Sequence, residues 1–135
     1  MYDNILVPIS FETGHDISGA TSVAQALAND GAQITLIHVM EHIPAYAISY
    51  MTQGYLEEAR IAIEAELARI GEGLSNATAV VIEGHAGRTL LDWAEEHEND
   101  CIVIASHRPE MQDLLLGSTA TQVVRHAKCA VHVLR

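Results

Sequence analysis

The stretch Ile5-Leu6-Val7-Pro8-Ile9 decides how the whole chain is read. An unbroken apolar run too short for a helix is the pattern of a strand buried on both faces of a parallel sheet. Working outward, Ile17, Ala20, Ala24, Leu27 and Ala28 recur at helical spacing, and Gly31 predicts where that helix stops. The run Ile34-Thr-Leu-Ile-His-Val39 reads as a second strand. After a loose segment around Pro44, the positions Leu56, Ala59, Ile63, Leu67, Ile70 and Leu74 mark a long amphipathic helix, frayed at Gly71 and Gly73. Ala77 to Ile82 predicts strand three, and Leu90, Leu91 and Ala94 mark a helix ending in the acidic stretch Glu95 to Asp100. Cys101 to Ala105 predicts strand four, Ser118 to Ala127 a helix, and Ala130 to Leu134 strand five.

Short apolar strands alternating with helices imply right-handed βαβ crossovers. The expected fold class is α/β: a five-stranded doubly wound parallel sheet, order 3-2-1-4-5, with helices on both faces. The 135 residues suit one domain over 1–135, and neither an internal repeat nor a linker divides them.

Charge is unevenly spread. The net charge is −11, yet residues 101–135 carry Arg108, Arg125, Lys128 and Arg135 against Glu110 and Asp113 alone. The first 59 residues hold no Lys or Arg. A pI near 4.9 argues against coating nucleic acid, which needs rows of bases, and against docking on an anionic membrane. An anionic ligand must be held locally, and the C-terminal quarter is the electrostatically favoured place.

No basic, apolar leader opens the sequence, and no apolar run approaches the ~20 residues of a membrane span. Cys101 and Cys129 match no metal-binding spacing and read as small hydrophobes in a reducing compartment. A cytoplasmic location is the expectation.

Ligands of open parallel sheets bind beyond the carboxyl ends of the strands, where the winding reverses. With the order above, that crevice lies between the loop after strand one (Ser10 to Gly14) and the loop after strand four (Ser106 to Gly117). Val39 and Met40, at the end of strand two, lie alongside. Gly117-Ser118-Thr119 opens a helix whose free N–H groups suit a phosphate, and His107 and Arg108 supply donors and charge nearby.

The stretches Ile102-Val-Ile-Ala-Ser-His-Arg-Pro109, Leu114-Leu-Leu-Gly-Ser-Thr-Ala120 and Val131-His-Val-Leu-Arg135 resemble the universal stress protein family, and within it the F/G-type branch. Asn4-Ile-Leu-Val-Pro-Ile9 and Glu83-Gly-His-Ala-Gly87 extend the resemblance along the chain. It implies a sheet of the adenine nucleotide alpha hydrolase-like type, binding of ATP or another adenine nucleotide with Mg²⁺ as an optional companion, and homodimers paired through the C-terminal strand. ATP-binding members carry a glycine pattern in this loop. Its first glycine falls on Ala105 and its second on Arg108, while the closing Gly-Ser survives as Gly117-Ser118. Ser10 stands where binders place an Asp, and it offers a single hydroxyl instead of a carboxylate.

The expected contacts are therefore the Val39 backbone to the base, with Pro8 and Ser10 on the ribose side. His107, Arg108, Gly117, Ser118 and Thr119 meet the phosphates, and Ile9 and Ala105 complete the lining. Other chemistries fit less well. Six aromatics give no flavin sandwich, and His38 with His42 straddle a strand end where their spacing does not converge on a metal. Walker A and GxGxxG patterns are absent. No nucleophile–base pair has an orienting acid, so no catalytic residue is assigned and any ATP hydrolysis is slow and incidental. The expected function is a small stress-response protein that binds an adenine nucleotide as a sensor or switch. The alternative is a nucleotide-independent dimeric interaction module.

Overall fold

A computed structural model of the protein describes residues 1–11, 16–106 and 116–135. Among the described residues ten elements follow one another: β1 (Tyr2–Pro8), α1 (Ile17–Leu27), β2 (Ala28–Met40), α2 (Ala45–Ile48), α3 (Tyr55–Gly71), β3 (Ala77–Glu83), α4 (Ala86–Glu96), β4 (Cys101–Ala105), α5 (Ser118–His126) and β5 (Ala130–Leu134). The strands form one parallel sheet in the order β3-β2-β1-β4-β5, as the alternation of short apolar runs and helices predicts.

Alternation along the strands divides the core into two layers. Ile5, Val7, Ile34, Leu36, Cys101 and Val103 turn to one face and pack with Ala20 and Ala24 of α1 and Leu67 of α3. Leu6, Ile37, Ile102 and Ile104 turn to the other and pack with Leu90 and Ala94 of α4 and Ala120 and Val123 of α5. The winding accounts for this division. Right-handed crossovers from β1 to β2 to β3 place their helices on one face, and the return to β4 places the later helices on the other. The central strands are sealed on both sides, with Ile5, Leu6 and Val7 wholly buried. Cys101 and Cys129 are free thiols that belong to opposite layers.

Two local features depart from the sequence reading. Helix α1 ends at Leu27, and Gly31 lies within β2 and not at a helix stop. Tyr2 pairs with Ala28 and Asn4 with Gln33, so two steps along β1 face five along β2. The surplus turns through Gly31 at φ +78°, a conformation that favours glycine. The loose segment around Pro44 contains the short helix α2. Helix α4 ends in the acidic stretch that the sequence marks, and it closes without a glycine: Glu98 takes φ +54°, its N–H donates to Glu95 O, and the Asn99 N–H donates to Ala94 O at 2.9 Å. This is the Schellman closure with a glutamate in the left-handed position.

Candidate nucleotide site

Strands β1 and β4 are paired only at Ile5↔Cys101 and Leu6↔Ile102. Beyond that seam β1 stays with β2 through Pro8↔Ile37, and β4 stays with β5 through Ala105↔Leu134. The sheet therefore parts at its carboxyl end, between the two strands where the winding reverses. Here lies a cavity of about 540 Å³. That is within the range of roughly 300–1,000 Å³ common for small-molecule sites.

Pro8, Ile9, Ser10, Val39, Ala105 and Thr119 all line this cavity. Gly117 and Ser118 do not line it but immediately precede Thr119, which does. His107 and Arg108 lie outside the described residues. Gly117 is the N-cap of α5 and Ser118 its first helical residue, so the Ser118 side chain does not cap the helix. The Gly117 N–H donates to Ser106 O at 2.7 Å, which ties the helix start to the end of β4.

The remaining lining comes from both layers. Ile17, Ala20 and Ile63 belong to the α1/α3 layer and Leu90 and Ile104 to the α4/α5 layer, and Phe11, His38 and Ala86 line the cavity beside them. Two hydrogen bonds hold the turn after β1 against β2. Ile9 N–H donates to Ile37 O at 2.8 Å, and His38 Nδ1 lies 2.8 Å from Ile9 O. A carbonyl accepts and cannot donate, so Nδ1 carries the proton. The Phe11 ring sits 5.3 Å from the His38 ring, centre to centre.

Three helix N-termini approach the cavity, and they differ in how their amides are satisfied. At α1 the Asp16 carboxylate caps the helix, accepting from Gly19 N–H at 2.9 Å. At α4 the Glu41 carboxylate reaches over to accept from Ala86 N–H at 3.3 Å. At α5 no side chain caps among the described residues. Two of the three positive helix ends are thus already matched by carboxylates, and α5 is left open to an external anion. Among the described residues, no Lys or Arg lines the cavity. No group of three His, Cys, Asp or Glu among the described residues is arranged to hold a metal ion.

Phe11 falls in the loop after β1 that the sequence places at the crevice, whereas Asp16, His38, Glu41 and Ile63 were missed as lining residues. Asp16 carries a readable signal, an acid just before the apolar-periodic run that starts at Ile17. His38 and Glu41 carry none, because their positions depend on how β2 runs beside the parted edge of β1.

The sequence profile of the Universal stress protein family matches residues 1–135. The chain belongs to this family. It is 30% identical over 139 residues to universal stress protein A homolog 2 of Coxiella burnetii, covering 99% of this chain and 95% of that one. Among solved structures, universal stress protein UspA from Lactobacillus plantarum matches with a TM-score of 0.73 and 27% identity, covering 99% and 98% of the two chains. Two more distant members share the fold. One is a universal stress protein in complex with cAMP, at TM-score 0.69 and 18% identity over 99% of this chain and 97% of that one. The other is that of Archaeoglobus fulgidus in complex with dAMP, at TM-score 0.64 and 16% identity over 99% and 98%.

Proposed function

We propose that this universal stress protein binds an adenine nucleotide in the cleft between β1 and β4 and serves as a stress-response sensor or switch. The observation that carries the reading is the coupling of an apolar cavity to one uncapped helix N-terminus, at Thr119 of α5. A flat base suits the apolar part, and a phosphate suits the open amides of Ser118, Thr119 and Ala120. The Val39 backbone meets the base, while Pro8, Ile9, Ser10 and Ala105 enclose the sugar. Gly117, Ser118 and Thr119 hold the phosphate together with His107 and Arg108. Fold relatives solved with cAMP and dAMP support an adenine ligand. No Mg²⁺ site and no catalytic group is needed for this reading.

The test is direct. The purified protein is denatured and the released small molecules are identified by mass spectrometry. Thermal shift is then measured with ATP, ADP, AMP and cAMP, with and without Mg²⁺. A released adenine nucleotide, or a shift of several degrees with one of these ligands, supports the reading. No release and no shift at millimolar concentration overturns it in favour of a nucleotide-independent interaction module.

Strand β5 lies at the edge of the sheet, its outer side unpaired among the described residues, and an edge strand calls for a partner or a defence. Homodimerisation through β5 satisfies that demand. Light scattering after size exclusion checks it: a dimer mass that Val133→Pro converts to monomer supports this interface, and a monomer mass for the unaltered chain overturns it.

A further inference from the structure

The geometry points to His38 as the residue that reads the adenine base, accepting a hydrogen bond at Nε2 from the exocyclic amine. The inference rests on the adenine-nucleotide reading above and adds to it a discriminating atom.

His38 is half-buried and lines the cavity. Its Nδ1 lies 2.8 Å from Ile9 O, which fixes the Nδ1–H tautomer. In the neutral ring Nε2 is then a lone-pair acceptor, and it has no hydrogen-bond partner among the described residues. The opposite tautomer is disfavoured because it sets the Nδ1 lone pair against the Ile9 carbonyl. Phe11 packs on the ring, and Ile9 is itself pinned by its N–H to Ile37 O at 2.8 Å. The acceptor is held in place before any ligand arrives.

Its position selects the part of the ligand it meets. Along β2, Ile37 and Val39 belong to the α4/α5 layer and Leu36 and Met40 to the α1/α3 layer, so alternation turns His38 to the α1/α3 face, whereas Ala120, beside the open amides of α5, belongs to the opposite layer. A nucleotide with its phosphate at Thr119 therefore presents its far end, the base, to His38. Adenine carries an amine donor at C6. Hypoxanthine and guanine carry an oxygen acceptor there, so two acceptors oppose each other and one is left unsatisfied.

Affinities for AMP, IMP and 2′-deoxy-AMP are measured by calorimetry at pH 8 on the intact protein and on His38→Gln. The unaltered protein is expected to prefer AMP over IMP by at least about tenfold. Gln can both donate and accept, so the variant is expected to narrow that ratio to within about threefold, leaving the AMP to 2′-deoxy-AMP ratio unchanged. Ring ¹⁵N spectra of the unaltered protein give a second readout that needs no variant. AMP is expected to shift the unprotonated Nε2 of His38 upfield, and IMP is not. If AMP binds but the AMP to IMP ratio is the same in both proteins, or Nε2 does not respond, this inference falls and the nucleotide reading stands. A change in the deoxy ratio in place of the base ratio overturns it in favour of ribose recognition. Failure of AMP, ATP, ADP and cAMP alike to bind overturns both.

Discussion

Glu41 accepts a hydrogen bond at Oε1 from the backbone N–H of Ala86, 3.3 Å away, so a carboxylate from the end of β2 caps a helix across the mouth of the cleft. The contact spends the positive end of α4 on an internal charge and repels any phosphate that strays toward it. Glu41→Gln is expected to raise affinity for AMP a few-fold while leaving adenosine unchanged, and the gain is expected to shrink in high salt. Titration calorimetry at two ionic strengths checks this. Equal gains for AMP and adenosine would show that the carboxylate acts on something other than phosphate charge.

The left-handed Glu98 offers a gain in stability. Its conformation is one that a side chain disfavours by about 1 kcal/mol, and its backbone N–H already completes the closure of α4. Glu98→Gly is expected to stabilise the protein by that amount in urea titration. A destabilised variant would mean that the Glu98 side chain contributes more than its backbone strain costs.

At the opposite end of the sheet, the Asp100 carboxylate accepts from Asp3 N–H at 2.8 Å and Asn4 N–H at 3.0 Å. It thereby fastens the start of β1 beside β4. Asp100→Ala is expected to cost about 1–3 kcal/mol, because two strand amides lose a charged acceptor together. Hydrogen exchange at Asp3 and Asn4 should accelerate with it; unchanged protection at both amides would remove Asp100 from this role.

Burial, with smaller contributions from Cys129 and Asp100, pushes the Cys101 thiol from 9.0 to about 11. The folded state thus keeps this proton after the unfolded chain has lost it. The associated stability is complete below pH 9 and is lost as pH rises from 9 to about 11. Cys101→Ala is expected to show a flatter stability profile across that window in denaturant titrations. At pH 8 the native thiol should react with a thiol reagent far more slowly than the urea-unfolded chain. Identical pH slopes for the two proteins would count against burial as the source.

The layer structure was readable because each strand is a short apolar run and each helix repeats at its own period. Ile5 to Ile9 sits beside Ile34 to Val39 and Cys101 to Ala105 in the order that right-handed crossovers require. Less readable were the punctuation marks. Gly31 has the chemistry of a helix stop and of an irregular strand turn alike, and the register against β1 selects the second. Helix α4 stops at a glutamate, which carries no sequence signal for a left-handed cap. Among the residues that line the cavity, Ser10 and Val39 followed from where strands end, Thr119 from the helix that opens after Gly117, and Pro8 and Ala105 from the family resemblance, whereas His38 and Glu41 owe their positions to contacts with Ile9 and Ala86. His107 and Arg108 rest on the sequence alone.

The short seam between β1 and β4 has a mechanical consequence. The sheet is built as two ribbons, β3-β2-β1 and β4-β5, joined by backbone pairing at Ile5↔Cys101 and Leu6↔Ile102 and fastened below that by Asp100. Toward the cleft no strand pairing spans the gap. A molecule that touched Val39 on one ribbon and Thr119 of α5, the helix that connects the two strands of the other, would supply the missing crosspiece there, and the outer edge of β5 belongs to the ribbon it would brace.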